Sequence, residues 1–249
     1  MRSLRKKSKD IKEWLEGKIE QLVKVSDELV KISDVHYEGH SWTVAKLLLL
    51  MGWVYVYTTI IPKYCEEYWY IDLLAGSGTT KVKETGDVIA SSPFIAYFCA
   101  TEPFRRYIFV EREENKYRAL FRRSSKIIGR DKIRVIQNNC NQVAINLSNE
   151  IKTRIRRGEK IHCLVFIDNE GLDTEWKAIE AMLEIYSDLI ILFPTIGIRR
   201  TWGAAKKESS KEFSTLKRFF GGDIWRKALS NASNSRAQGQ VGSSLGGRH

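Results

Sequence analysis

The stretch YIDLLAGSG, Tyr70 to Gly78, decides how this chain is read. Aromatic and aliphatic residues run up to the acidic Asp72, and the pattern then breaks into Ala75, Gly76, Ser77 and Gly78. A short apolar run bounded by glycine predicts a buried strand feeding a tight turn. In open α/β sheets such a turn sits at the carboxyl end of a central parallel strand, where a ligand can press against bare backbone.

Outward from that stretch, short apolar runs recur at 69–74, 107–111, 133–137, 161–168 and 189–193. Segments of helical period separate them, at 93–100, 113–128, 142–157 and 174–186. The alternation predicts a doubly wound α/β fold with a mostly parallel sheet of about five strands. Upstream, Ile11, Trp14, Leu15, Ile19, Leu22, Val23, Leu29 and Val30 mark one amphipathic helix. Residues 34–40 read as a loop, and Ser41 is placed to cap a second helix from Trp42 to about Ile61. Residues 1–65 are therefore expected to form a helical segment packed on the core, and residues 66–228 the α/β domain. The tail, 229–249, is mostly Ser, Asn, Gly, Gln and Arg and is expected to be disordered.

A hydrophobic fraction of 43% over 249 residues supports a packed core. The formal net charge of +11 favours encounters with a polyanion such as nucleic acid. Basic residues crowd two predicted helices: Arg112, Lys116, Arg118, Arg122, Arg123, Lys126 and Arg130 on one, and Lys152, Arg154, Arg156, Arg157 and Lys160 on the other. Adjacent crossovers could merge the two sets into one face. Arg199 and Arg200 are read as lying near the mouth of the site. Cys65, Cys99, Cys140 and Cys163 form no close pair, which points to a reduced, cytoplasmic setting without structural zinc. The uncharged run 47–61 falls short of about 18 residues and reads as a half-buried helix, so no membrane association is expected. His36 and His40 lack a third ligand nearby, and no metal is expected.

The glycine turn does not fit two familiar phosphate-binding patterns. A dinucleotide fingerprint requires a third glycine where this chain has Thr79, Thr80 and Lys81, which argues against a nucleotide-binding oxidoreductase. A phosphate loop requires Gly-Lys-Ser/Thr, which is also missing. Glu111 ends the next strand, where a carboxylate can accept both hydroxyls of a ribose.

Taken together, the motifs resemble the three-Cys-motif partner family, itself similar to class I S-adenosylmethionine methyltransferases. The resemblance covers about residues 40–225. It rests on the T-x-x-K-L segment (Thr43, Lys46, Leu47), the turn 70–78, Ser91-Ser92-Pro93, Asn139-Cys140-Asn141, and Phe166-Ile167-Asp168-Asn169-Glu170-Gly171. It implies a Rossmann-like fold and S-adenosylmethionine held by Asp72, Ala75, Gly76, Ser77, Gly78, Ser92, Glu111, Asn139 and Cys140. Asp168 and Glu170 are then the candidate catalytic carboxylates. The loop 79–90 is expected to cover the site. Asn139 stands where the family has aspartate, and its carbonyl oxygen can still accept from an adenine amino group. The sequence Asp168-Asn169-Glu170-Gly171 lacks the proline and aromatic residue of amino-group methyltransferases, so methylation of a base amine is not indicated. The implied activity is methyl transfer, with nucleic acid as an acceptor. The alternative is a module serving a companion three-cysteine protein of radical S-adenosylmethionine type, either without turnover or cleaving nucleic acid through Asp168 and Glu170. Class I methyltransferases add a sixth and a seventh strand, which nothing in 203–249 suggests, so both are expected to be missing.

Overall fold

The computed structural model describes residues 2–205, 207–223 and 225–226. The chain opens with helix α1 (Arg2–Ile32), strand β1 (Tyr37–Gly39) and helix α2 (Trp42–Ile60), which a 3-10 turn, Ile61–Lys63, ends at Pro62. Strand β2 (Glu67–Asp72) leads to a hairpin of β3 (Thr79–Val82) and β4 (Val88–Ala90). There follow α3 (Ser92–Phe98), β5 (Arg106–Glu111), α4 (Glu114–Ile127), β6 (Ile133–Gln137) and α5 (Cys140–Arg156). Strand β7 (Ile161–Asp168), α6 (Trp176–Leu183), β8 (Ser187–Leu192), α7 (Thr195–Ala204) and α8 (Lys211–Phe220) complete the described elements.

Five strands form one all-parallel sheet in the order β6-β5-β2-β7-β8. The central strand is β2, where Tyr70 pairs with Tyr107 on one side and Leu164 on the other. The chain winds outward from β2 through β5 to β6, then returns to the far side of β2 for β7 and β8. This is a Rossmann-like, doubly wound sheet whose direction switches between β2 and β7. Among the described residues no strand follows β8, in agreement with a sheet of five. The expected disordered tail lies outside the described residues.

Both faces of the sheet are covered, so its central strands read as continuous apolar runs. Alternate residues of β2 serve different cores. Tyr68 and Tyr70 pack with Leu29 of α1, Leu50 and Val54 of α2, Phe94 of α3 and Leu120 of α4. Trp69 and Ile71 pack with Val143 and Leu147 of α5 and with Ala178 and Met182 of α6. A third, smaller cluster joins Ile198 of α7 to Phe213, Leu216 and Phe219 of α8 and to Trp225. Helix α7 carries no strong sequence signal and emerges only in the structure.

Several local expectations require correction. Residues 34–40 and 79–90 are not plain loops, because β1, β3 and β4 make a second sheet in the order β1-β3-β4. There β1 runs parallel to β3, with Tyr37 opposite Thr80. Gly39 is required in it, since a Cβ would sit 2.6 Å from the Thr80 methyl and 2.9 Å from Thr43 Oγ1. Ser41 precedes α2 but its hydroxyl makes no capping bond; its N–H instead donates to Glu84 Oε2 at 2.9 Å. At α3 the N-cap is Ser91, also without a side-chain cap bond, so Ser92 and Pro93 lie inside the first turn. Helix α2 is half-buried. Leu50, Val54 and Tyr57 face the core, while Trp42, Leu49 and Trp53 remain exposed, Leu49 at 74%. Residues 42–63 are long and apolar enough to cross a membrane by length and composition.

Candidate functional site

The switch between β2 and β7 opens a cleft at the carboxyl ends of the parallel strands, enclosing about 1070 Å³ with the solvent at its mouth included. Four strand ends meet there. Ala75 and Gly76 follow β2, Glu111 ends β5, Asn139 and Cys140 follow β6, Asp168 ends β7 and Glu170 follows it, and Ser92 of α3 lines the same cleft. These residues are far apart in sequence, and the structure brings them into one cleft.

The turn after β2 is fixed by the strands on both sides. Leu73 N–H donates to the Phe166 carbonyl at 3.1 Å, and Ala75 N–H to the Val110 carbonyl at 2.9 Å. Gly76 then turns with φ of +62°, and the space beside its Cα is open, the nearest atom to an added Cβ being Tyr37 Cβ at 3.8 Å. Glu111 Oε1 accepts from Glu113 N–H at 2.7 Å, and Oε2 makes no hydrogen bond among the described residues. Asn139 is the N-cap of α5, its Oδ1 accepting from Asn141 N–H at 2.8 Å. That oxygen is therefore partly committed, and the side-chain amide N–H groups are the freer edge of Asn139. Cys140 is buried, which pushes its thiol up from the ordinary range.

At the β7 end, Asp168 Oδ2 accepts from Lys46 Nζ at 2.6 Å. Glu170 is raised to about 7, first by desolvation and second by the negative charge of Asp173. Glu170 is nonetheless an exposed residue, and solvent screens its charge. Asn169 is buried, with its Oδ1 accepting from Thr174 N–H and its Nδ2 unpartnered among the described residues. Asn141 anchors the loop after β7, accepting from Glu175 N–H at 2.7 Å and donating to the Asp173 carbonyl at 2.9 Å.

Three of the residues assigned to the cofactor by resemblance lie beneath the cleft and do not line it. Asp72 is fully buried, accepting from Leu74 N–H at 3.2 Å and from the Tyr70 hydroxyl at 3.4 Å. Burial raises its carboxyl to about 7, against the opposing hydrogen bond from Ser92. Ser77 is also fully buried, and its hydroxyl donates to the Thr79 carbonyl at 3.0 Å. Gly78 has φ of +85°, and an added Cβ would sit 2.7 Å from the Phe94 ring.

The wall facing the turn was not read from sequence as part of the site. It consists of Tyr37 and Thr80 from the small sheet and Thr43, Lys46 and Leu47 from α2. The motif T-x-x-K carried a signal, because an i, i+3 pair shares one helix face. Its partner Asp168, 122 residues away, could not be read. Ser91 Oγ also lines the cleft, buried and with no hydrogen-bond partner among the described residues.

The two basic clusters do not merge, since α4 packs on the tyrosine face of the sheet and α5 on the opposite one. Arg123 is not a surface charge at all, being fully buried. Arg118, Lys152 and Arg154 pair with Glu114, Glu184 and Glu159. Arg199 and Arg200 are exposed on α7 and do not line the cleft. Among the described residues no cluster of three or more His, Cys, Asp or Glu side chains is arranged to hold a metal.

No protein-family model matches the chain, and a search of curated proteins finds no match.

Proposed function

We propose that the cleft binds S-adenosylmethionine and that the protein transfers its methyl group, with nucleic acid as the acceptor class. The observation that carries this reading is the convergence of an open glycine turn, the Glu111 carboxylate and the Asn139 amide on one cleft at the switch of a parallel sheet. A nucleoside needs those three features together: bare backbone, a carboxylate for the ribose hydroxyls and an amide for the base edge. The residues present suit the ligand, since Gly76 leaves room at its backbone and, among the described residues, neither Glu111 Oε2 nor Ser91 Oγ has a hydrogen-bond partner. Bound S-adenosylmethionine supplies an electrophilic methyl group. Glu170, whose carboxyl is raised by desolvation and by the charge of Asp173, can take up the proton that the acceptor group releases. The formal charge of +11 supports a polyanionic acceptor.

Titration calorimetry with S-adenosylmethionine tests the reading. Glu111→Ala is expected to weaken binding by about 10- to 100-fold. No heat of binding from a folded parent protein would sink it. A second reading is a methyltransferase-fold module that binds without turnover beside a three-cysteine protein of radical S-adenosylmethionine type. It draws on one observation, that Lys46 already engages Asp168. Binding without methyl transfer to total RNA or DNA would favour that module.

A further inference from the structure

We propose that Lys46 and Asp168 form a receptor for a zwitterion, holding the α-carboxylate and α-ammonium of an amino-acid end on the ligand of this cleft. Nζ of Lys46 lies 2.6 Å from Oδ2 of Asp168, and each side chain is 22% exposed. The pair joins α2 to the end of β7 across the cleft, and both residues line it. An ion pair inside a ligand cleft restricts what may enter. A ligand bearing only an ammonium would take Asp168 and leave Lys46 without its counter-charge. One bearing only phosphate would place its charge among Asp168, Glu170 and Asp173, which line the same cleft. A zwitterion supplies a partner to each member, so neither charge is left desolvated and unpaired.

The surroundings favour the carboxylate on the Lys46 side. Ser91 lines the same cleft and is only 9% exposed, and its Oγ has no hydrogen-bond partner among the described residues. A buried hydroxyl without a partner is costly, and a ligand carboxylate beside it would relieve that cost. Thr43 lies one helical turn before Lys46, and Thr80 adjoins Thr43 across Gly39; both line the cleft and carry further hydroxyls. The inference rests on the adenosyl reading above and deepens it, because S-adenosylmethionine and S-adenosylhomocysteine end in an amino acid whereas 5′-methylthioadenosine does not.

The test compares S-adenosylhomocysteine with 5′-methylthioadenosine by calorimetry on the parent, Lys46→Gln and the double variant K46M/D168N, with melting curves to establish folding. The parent is expected to prefer S-adenosylhomocysteine by about 10- to 100-fold. Lys46→Gln should reduce that preference to about threefold or less while leaving the affinity for 5′-methylthioadenosine unchanged, the mark of a lost charge-assisted contact. The double variant should show the same loss with no buried charge left over. A preference that survives in both variants, or an equal fall for both ligands in folded protein, overturns the inference while leaving the adenosyl reading intact. A folded parent that binds neither compound overturns both.

Discussion

Gly76 and Gly78 share a turn and a left-handed backbone, yet the structure asks different things of them. At Gly76 the space for a Cβ is open, so Gly76→Ala incurs only the backbone strain, about 1–2 kcal/mol. At Gly78 the same change adds a collision with the Phe94 ring at 2.7 Å under α3, and the expected loss exceeds about 3 kcal/mol. Urea titrations of the two variants check the order; equal losses would contradict the packing of α3 on the turn. Asp72 makes a second prediction at this scale. Its folded carboxyl titrates at about 7, above its unfolded value, so the folded state holds the proton more tightly. Stability from this group is present at low pH, falls as pH rises from about 4 to about 7, and levels off above. Asp72→Asn keeps an acceptor for Leu74 N–H and removes the charge. The variant should match the parent at pH 4 and exceed it at pH 8, by an amount on the order of 2–4 kcal/mol, read from urea midpoints at the two values. A parent that loses no more stability than the variant between those values would show that Asp72 is not desolvated as its burial implies.

At the level of elements, Arg123 ties α4 to the rest of the tyrosine face. Its guanidinium donates to the carbonyls of Leu29 and Ser33 at 3.0 and 2.6 Å and to those of Val35 and Ser77 at 2.8 Å. Burial lowers its pKa to about 10, which leaves it charged at neutral pH. One side chain thus fixes the end of α1, the approach to β1 and the glycine turn relative to one another. Arg123→Ala should cost about 3–5 kcal/mol in thermal or urea unfolding, and Arg123→Lys should recover only part, because an ammonium lacks the planar fork that reaches four carbonyls. A loss below 1 kcal/mol would remove Arg123 from this role. The helix itself contained the clue. Arg123 stands three residues after Leu120 and four before Ile127, inside the apolar stripe, but a tally of charges does not register helical phase. The five parallel strands were legible because each is a short run rich in apolar residues, buried in the three central strands and half-buried at the edges, and the strand ends carried Glu111, Asn139 and Asp168 to one edge by topology alone. The small sheet was not. Strands of three or four residues are too short to establish alternation, and their pairing is decided by contacts distant in sequence. With it went Tyr37 and Thr80 of the cleft wall. Lys46 was visible as a motif residue and mute about its purpose until Asp168 was placed beside it.

Across the whole molecule, the charge of +11 is divided by the architecture. Arg112 stands beside the cleft just before α4, and Arg122 and Lys126 follow along the helix; none of the three makes an ion pair among the described residues. Those of α5 gather at its far end, in Arg156 and Arg157. That helix is 17 residues long, or about 25 Å, and it starts at the cleft, so its basic end lies at the far end of the strands, on the face opposite α4. Arg112 lines the cleft and Arg122 lies only about 12 Å along α4, so a nucleic acid reaching the cleft on that face can meet these two and not Arg156 and Arg157. About four phosphate contacts on that side would give a single-stranded oligonucleotide a slope near −3 in a plot of log Kobs against log salt. The pair of changes Arg112→Glu and Arg122→Glu should weaken oligonucleotide binding and flatten the slope by about 1.4, whereas Arg156→Glu with Arg157→Glu should leave both unchanged. Filter binding or fluorescence anisotropy between low and moderate salt measures both quantities. Equal effects from the two faces would mean that the overall charge attracts the polyanion without directing it to the cleft, and nucleic acid would then lose its standing as the acceptor.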